Sequence, residues 1–168
     1  MIDIRAEQPR DVPSVRAVVE SAFARAAEAD LVDRLRDDAV RISSLVAIEH
    51  GRVVGHAMFS RVWIDGDDAT VALASLAPVA VRQDCQRRGI GAALIRRGID
   101  ACRAEQWPAI IVVGHPSYYP RFGFAADAVA HIETPYRGAH FMGLDLQAGA
   151  LREIRGAVRY PSAFDQLR

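Results

Sequence analysis

Apolar and polar residues alternate over positions 2–5, then apolar ones recur at helical intervals through Val12, Val15, Val18, Val19, Ala22 and Phe23. This change of period predicts a short strand feeding a helix that begins near Pro9, with Asp11 as N-cap and Pro13 in the first turn. A second helix is predicted over 27–36, with Leu31, Val32 and Leu35 on its inner face. Two β-rich runs follow, 44–49 and 53–64, separated by His50, Gly51 and Arg52, which have the turn chemistry of a hairpin. After a turn at 65–68 comes a long strand, Thr70–Val81, interrupted by Pro78. Proline has no N–H to give to a ladder, so this strand is expected to bulge or splay near 76–78.

The period returns to helical over Ile90–Ala104, where Ile90, Ala93, Leu94, Ile99 and Cys102 recur. Trp107 and Pro108 end that helix, and Ala109–Val113 is a continuous apolar run of the kind buried on both faces. Turn residues at 114–116 leave room for one short helix through Tyr119. Segments 122–124 and 141–146 read as closing strands, and 151–167 as a tail of uncertain form. No repeat, low-complexity segment or linker interrupts the pattern, so residues 1–168 are expected to form a single domain with 146–168 as a C-terminal extension.

Composition narrows the function. The chain is 51% hydrophobic and 25% charged, a profile of folded globular proteins. Lys and Arg total 21 and Asp and Glu total 21, so no net field draws it to nucleic acid or to an anionic membrane. No apolar run approaches the roughly 20 residues of a membrane-spanning helix, and the N-terminus lacks the apolar core of a signal peptide. A cytoplasmic location is the default expectation. Cys85 and Cys102 lack the spacing of a zinc or redox site, so neither a metal nor a disulfide is expected.

The chemistry concentrates in 79–94, where a strand runs through a basic loop directly into a helix. Unpaired amides at a helix start, together with the positive end of its dipole, make an anion site. Gly89 and Gly91 leave the main chain open to a ligand, and Arg87 and Arg88 add charge. A phosphate-binding P-loop would need GxxxxGK[ST], which is absent. A dinucleotide fingerprint would need a third glycine and a place after the first strand of a βαβ unit. What stands here is QxxGxG, formed by Gln86, Arg87, Arg88, Gly89, Ile90 and Gly91.

That motif, with the preceding strand Val79-Ala80-Val81 and the downstream run Tyr119-Pro120-Arg121-Phe122-Gly123-Phe124, resembles the GNAT superfamily of acyl-CoA-dependent N-acetyltransferases. Its motif A is [RQ]xxGx[GA], and its downstream element is YxKxGF, here with Arg for Lys. The order of elements over 2–146 fits as well. The resemblance implies an α/β (α+β) fold: a mixed, mostly antiparallel central sheet flanked by helices, in which strands 70–81 and 109–113 splay into a V-shaped acyl-CoA slot. It implies acetyl-CoA as cosubstrate, with pantetheine pairing along Val79, Ala80 and Val81 and the diphosphate on the amides of Arg87, Arg88, Gly89, Ile90, Gly91 and Ala92. It further implies direct attack of an amine on the thioester, with Tyr119 as proton donor to the leaving thiolate. The asparagine that the family often places before this tyrosine is replaced by Gly114-His115-Pro116-Ser117.

Several questions stay open at this level. Tyr118 is the alternative donor if the register is off by one. Glu49, His56, Asp65, His115 and His131 are all conceivable bases for the amine. The resemblance implies that the acceptor is a primary amine on a small molecule or peptide, and the tail could cover its pocket, pack on the core or join a homodimer interface. A non-catalytic acyl-CoA-binding regulatory module is the alternative reading, and a nucleotide-binding structural domain a third.

Overall fold

In the computed structural model, which describes residues 1–136 and 138–167, strand β1 (Asp3–Ala6) leads into helices α1 (Val12–Phe23) and α2 (Ala27–Asp37). Asp11 does not cap α1. Its buried carboxylate takes two hydrogen bonds from Arg5, at 2.6 and 3.0 Å, and the Gln8 amide at 2.8 Å, so it fixes the strand-to-helix corner instead. Strands β2 (Arg41–Glu49) and β3 (Arg52–Asp65) form the expected hairpin. Its turn residues His50 and Gly51 both have positive φ, 49° and 73°, the geometry that matches the twist of the flanking strands. Next come β4 (Thr70–Val81), α3 (Ile90–Ala104), β5 (Ala109–Val113), β6 (Phe141–Asp145), a short α4 (Ala150–Glu153) and β7 (Ala157–Arg159).

The sheet runs in chain order from β1 to β6, and β7 pairs with the end of β3 at 63–65, beyond the reach of β2. Every described pairing between these strands is antiparallel except β4 with β5, which is parallel. Helices α1 and α2 cover one face through Val15, Val18, Val19, Leu31, Val32 and Leu35. Helix α3 covers the other through Leu94, Ile95, Ile99 and Cys102. Gly98 lets α3 press on β3: a Cβ there would lie 1.9 Å from the Phe59 ring.

Two further expectations change. Segment 122–124 is not a strand: Tyr119–Phe122 is a 3₁₀ turn closed by Gly123 at φ 97°, and the pairing nearby, among the described residues, is a single bridge between Ala125 and Gly143. Proline at 120 and the packing of Tyr119 on Phe124 favour the turn over an extended run. The tail, in contrast, is ordered. It contributes α4, β7 and the turn Ser162–Leu167, and it buries Tyr160, Ala163 and Phe164 in the layer of α1 and α2.

The break expected near Pro78 positions the site. Against β3, Ala57 faces Val79 and Phe59 faces Leu76, so β4 carries one extra residue and bulges at 77–78. Pairing with β5 ends at Leu76 and Val112. Beyond that point the two parallel strands part, and the edge of β4 facing β5 at 79–81 has no strand partner among the described residues.

Candidate active site

A cleft of about 660 Å³ opens where β4 and β5 part, within the size range of small-molecule sites. It is lined by Val79 and Val81 of β4, by the turn and first helical residues Gln86, Arg87, Gly89, Ile90, Gly91 and Ala92, and by His115, Tyr118, Tyr119 and Arg121 from the segment after β5. The continuous run 79–92 and the later segment 115–121 thus meet in one cavity. Two residues of the expected set lie outside it: Ala80 points into the core, 2% exposed, and Arg88 pairs with Glu49 at 3.0 Å. Arg88 therefore has much of its charge already matched.

The turn owes its shape to two left-handed residues, Arg87 at φ 61° and Gly89 at φ 81°. Gly89 immediately precedes the first turn of α3, whose leading amides have no partner within the helix. A Cβ on Gly89 would meet nothing within 4 Å, so the space above this main chain is free for a ligand. Gln86 anchors the turn to the strand by donating from Nε2 to the Val81 carbonyl at 3.1 Å. The cleft therefore offers an anion-binding turn next to an open strand edge, which suits an extended molecule with phosphates at one end.

Tyr118 and Tyr119 point to different places. The Tyr118 hydroxyl lies 3.6 Å from where a Gly91 Cβ would be, beside the start of α3, and the Arg121 guanidinium stacks on its ring at 4.3 Å. Tyr119 lies over Gly114 at the end of β5, so close that a Cβ at 114 would come within 2.2 Å of its ring. Its ring also packs edge-on against Phe124 at 5.9 Å. Burial, with Tyr118 as a lesser cause, pushes the Tyr119 phenol up to about 12, so it stays protonated at neutral pH.

Among the conceivable bases, only His115 lines this cleft. Glu49 holds Arg88, Asp65 holds Arg159 at 2.7 Å, and His131 bonds the carbonyls of Leu151 and Ile154. His56 is fully buried, where its ring bonds Ser44 Oγ at 2.8 Å. Cys85 and Cys102 are both buried and free, and no cluster of metal-ligating side chains occurs among the described residues. Nor is any helix among them long and apolar enough to cross a membrane.

Sequence reasoning missed two groups. Arg121, whose sequence signal was only its place in the aromatic motif, brings a cation to the side of the cleft where α3 begins. The second is Glu28, which lines a further cavity on the opposite side of the strand fork with Leu76, Ala77 and Val113. No local pattern marks it, because that cavity is assembled from segments spread from Arg25 to Leu167.

Comparison with known proteins agrees with this geometry. Residues 3–126 match the family model described as an acetyltransferase (GNAT) domain. The uncharacterized N-acetyltransferase YhbS of Escherichia coli K12 is 32% identical over 166 residues, covering 97% of this chain and 98% of YhbS. YjhQ from the same strain, also an uncharacterized N-acetyltransferase, is 40% identical over 116 residues, 68% of this chain and 64% of YjhQ. The crystal structure of YhbS in complex with CoA superimposes with a TM-score of 0.90 over 98% of this chain and 92% of that one, at 31% identity. A GNAT family acetyltransferase from Brucella melitensis, in complex with acetyl-CoA, does so with a TM-score of 0.83 at 35% identity, over 98% and 99%.

Proposed function

Because this chain belongs to the GNAT acetyltransferase family, we propose that it moves the acetyl group of acetyl-CoA to a primary amine of a small molecule or peptide by direct attack. The observation that carries this reading is the fork itself: a parted parallel strand pair with an anion-binding turn on one strand and a protonated tyrosine on the other. YhbS and the Brucella melitensis protein, which share the fold, bind CoA and acetyl-CoA.

In this reading Val79 and Val81 offer their main-chain groups to pantetheine, as one strand would to another. The amides of 87–92 and the guanidiniums of Arg87 and Arg121 take the diphosphate, and Ala80 and Arg88 support the strand and turn from behind. The amine nitrogen then attacks the thioester carbon from the other side of the fork. As the C–N bond forms and the C–S bond breaks, the sulfur takes the hydroxyl proton of Tyr119, and the nitrogen's surplus proton returns to the phenolate through water. A phenol held at about 12 is a weak acid toward a thiolate whose own conjugate acid is ordinarily near 8.5. The same desolvation that raises the phenol also raises the thiol, which narrows that gap at the moment of cleavage.

Tyr119 is the donor in this account and Tyr118 is not, because the Tyr118 hydroxyl sits at the start of α3, where the phosphates bind. The test is release of CoA thiol from acetyl-CoA over a panel of primary amines. Amine-dependent release supports transfer. Tight acetyl-CoA binding with no release for any amine class would instead favour a regulatory acyl-CoA-binding module.

A further inference from the structure

Across the fork from the acetyl-CoA cleft lies a cavity of about 380 Å³. Its walls include Leu76, Ala77 and Val113, the residues at which β4 and β5 part, so it reaches the reacting centre from the face of α1 and α2. Apart from Ser75 and two charged side chains, the rest of the described lining is aromatic or apolar. Tyr136 and Tyr160 meet edge to face at 5.6 Å, Tyr160 and Phe164 pack at 5.2 Å, and all three rings line the space. Into this surface projects one carboxylate, Glu28, and among the described lining residues the only other charged group is Arg25.

The two charges differ in mobility. The Glu28 side chain is 6% exposed and is held in the first turn of α2, whereas the Arg25 side chain is 62% exposed and sits in the loop between α1 and α2. Their contact is a multiple one: Arg25 Nε donates to both Glu28 oxygens, at 3.0 and 2.9 Å, and Arg25 Nη2 donates to Oε1. A buried carboxylate needs a cation, and this one is matched by a side chain largely in water. A carboxylate that shares a cavity with three aromatic rings also has the chemistry that recognises an ammonium group.

We infer that this cavity is the acceptor subsite and that the acceptor is a monoamine with an apolar or aromatic body, whose ammonium displaces Arg25 from Glu28. Glu28 then takes one ammonium proton, leaving a neutral nitrogen beside the fork, and the proton passes to solvent when Arg25 returns. The rings of Tyr136, Tyr160 and Phe164 bind the body of the acceptor. An α-amino acid is rejected because its own carboxylate would lie beside Glu28, and a polyamine because the described lining offers no second carboxylate to pair its second ammonium. The inference rests on the transferase reading above, and the experiment separates the two.

The measurement is the kcat/KM for thiol release from acetyl-CoA with 2-phenylethylamine, L-phenylalanine and spermidine, for the wild type, Glu28→Gln and Arg25→Ala. Acetyl-CoA binding and acetyl-CoA hydrolysis without amine are followed in parallel. We expect 2-phenylethylamine to exceed both other amines by about 100-fold, as like-charge and unpaired-charge costs of a few kcal/mol dictate. Glu28→Gln should lower its kcat/KM by about 100-fold while acetyl-CoA binding persists. Arg25→Ala should lower its KM, since the competing cation is gone. Equal use of L-phenylalanine, or Glu28→Gln turnover within about threefold of wild type, would overturn the inference. Should Glu28→Gln fail to fold, Arg25→Ala decides alone: a fall in KM supports the inference, and an unchanged or higher KM overturns it. Failure of the wild type to bind acetyl-CoA would sink the transferase reading itself, whereas binding and hydrolysis with no acceleration by 2-phenylethylamine would overturn only the acceptor assignment.

Discussion

At Tyr119 the hydroxyl is the only atom that proton donation needs, because the ring's contacts with Gly114 and Phe124 are made by carbon. Tyr119→Phe is therefore expected to keep acetyl-CoA affinity and lower kcat by about 100- to 1,000-fold, the usual span for one positioned acid; the same change at Tyr118 should leave kcat within a few-fold. Rates of thiol release for the two variants check this. Gly89 makes the complementary case, since its constraint is conformational and not spatial: φ is 81° and a Cβ would touch nothing. Gly89→Ala should cost about 1 kcal/mol of stability from the left-handed backbone, and in addition weaken acetyl-CoA by placing a methyl where the proposed binding mode puts the diphosphate. The turn and the tyrosine were legible because each is a local pattern. Glu28 was not: its partners in the second cavity come from 75–77, 113, 136 and 160–167, and single-sequence reading does not see such long-range neighbours.

Among the elements, α3 and β4 hold the site. Helix α3 can place its first turn beside β4 only because Gly98 lets it approach Phe59, which is fully buried and has nowhere to move. Gly98→Ala gains about 1 kcal/mol of helix propensity, but a Cβ at 1.9 Å from the ring calls for the upper end of the roughly 1–3 kcal/mol that overpacking costs. A net loss of about 2 kcal/mol should lower Tm by roughly 4–8 °C, and an unchanged Tm would mean that α3 is not pinned there. The elements themselves were mostly readable from period and turn chemistry, including the His50-Gly51 hairpin and the break in β4 at Pro78. Segment 122–124 read as a strand because aromatic residues favour strands, yet there the rings pack on one another around a turn and local propensity gives way to tertiary contact. The tail lacked any clear period because α4, β7 and the 3₁₀ turn at its end are each too short to show one.

For the molecule as a whole, acid stability turns on the buried group of Glu7, Ser44, His56 and Arg36 under β2 and β3. His56 Nε2 bonds Ser44 Oγ at 2.8 Å, the Ser44 hydroxyl donates to Glu7 Oε2, and Arg36 reaches Glu7 Oε1 at 2.6 Å. Burial holds the His56 pKa below its usual value, so the ring is neutral in the fold. Burial would lift the Glu7 carboxyl, but its links to His56 and Ser44, with Arg36 close by, outweigh that and hold it down at about 2. Both groups gain protons more readily in the unfolded chain, so stability must fall with pH. The loss begins near pH 6.5 through His56 and continues between about pH 4.5 and 2 through Glu7, whose share is roughly 3 kcal/mol. Tm measured against pH should therefore decline below about 6.5, and Glu7→Gln should flatten the lower part of that curve; a wild-type Tm that stays level from pH 7 to 3 would contradict this. The central claim, that acetyl-CoA lies on the turn before α3, is met most directly by thermal unfolding with and without saturating acetyl-CoA, for the wild type and Gly89→Asp. A ligand at about 100 times its Kd stabilises by roughly 2.7 kcal/mol, so the wild-type Tm should rise by about 5–11 °C and the variant's should not. No rise in the wild type, or an equal rise in Gly89→Asp, would contradict the account.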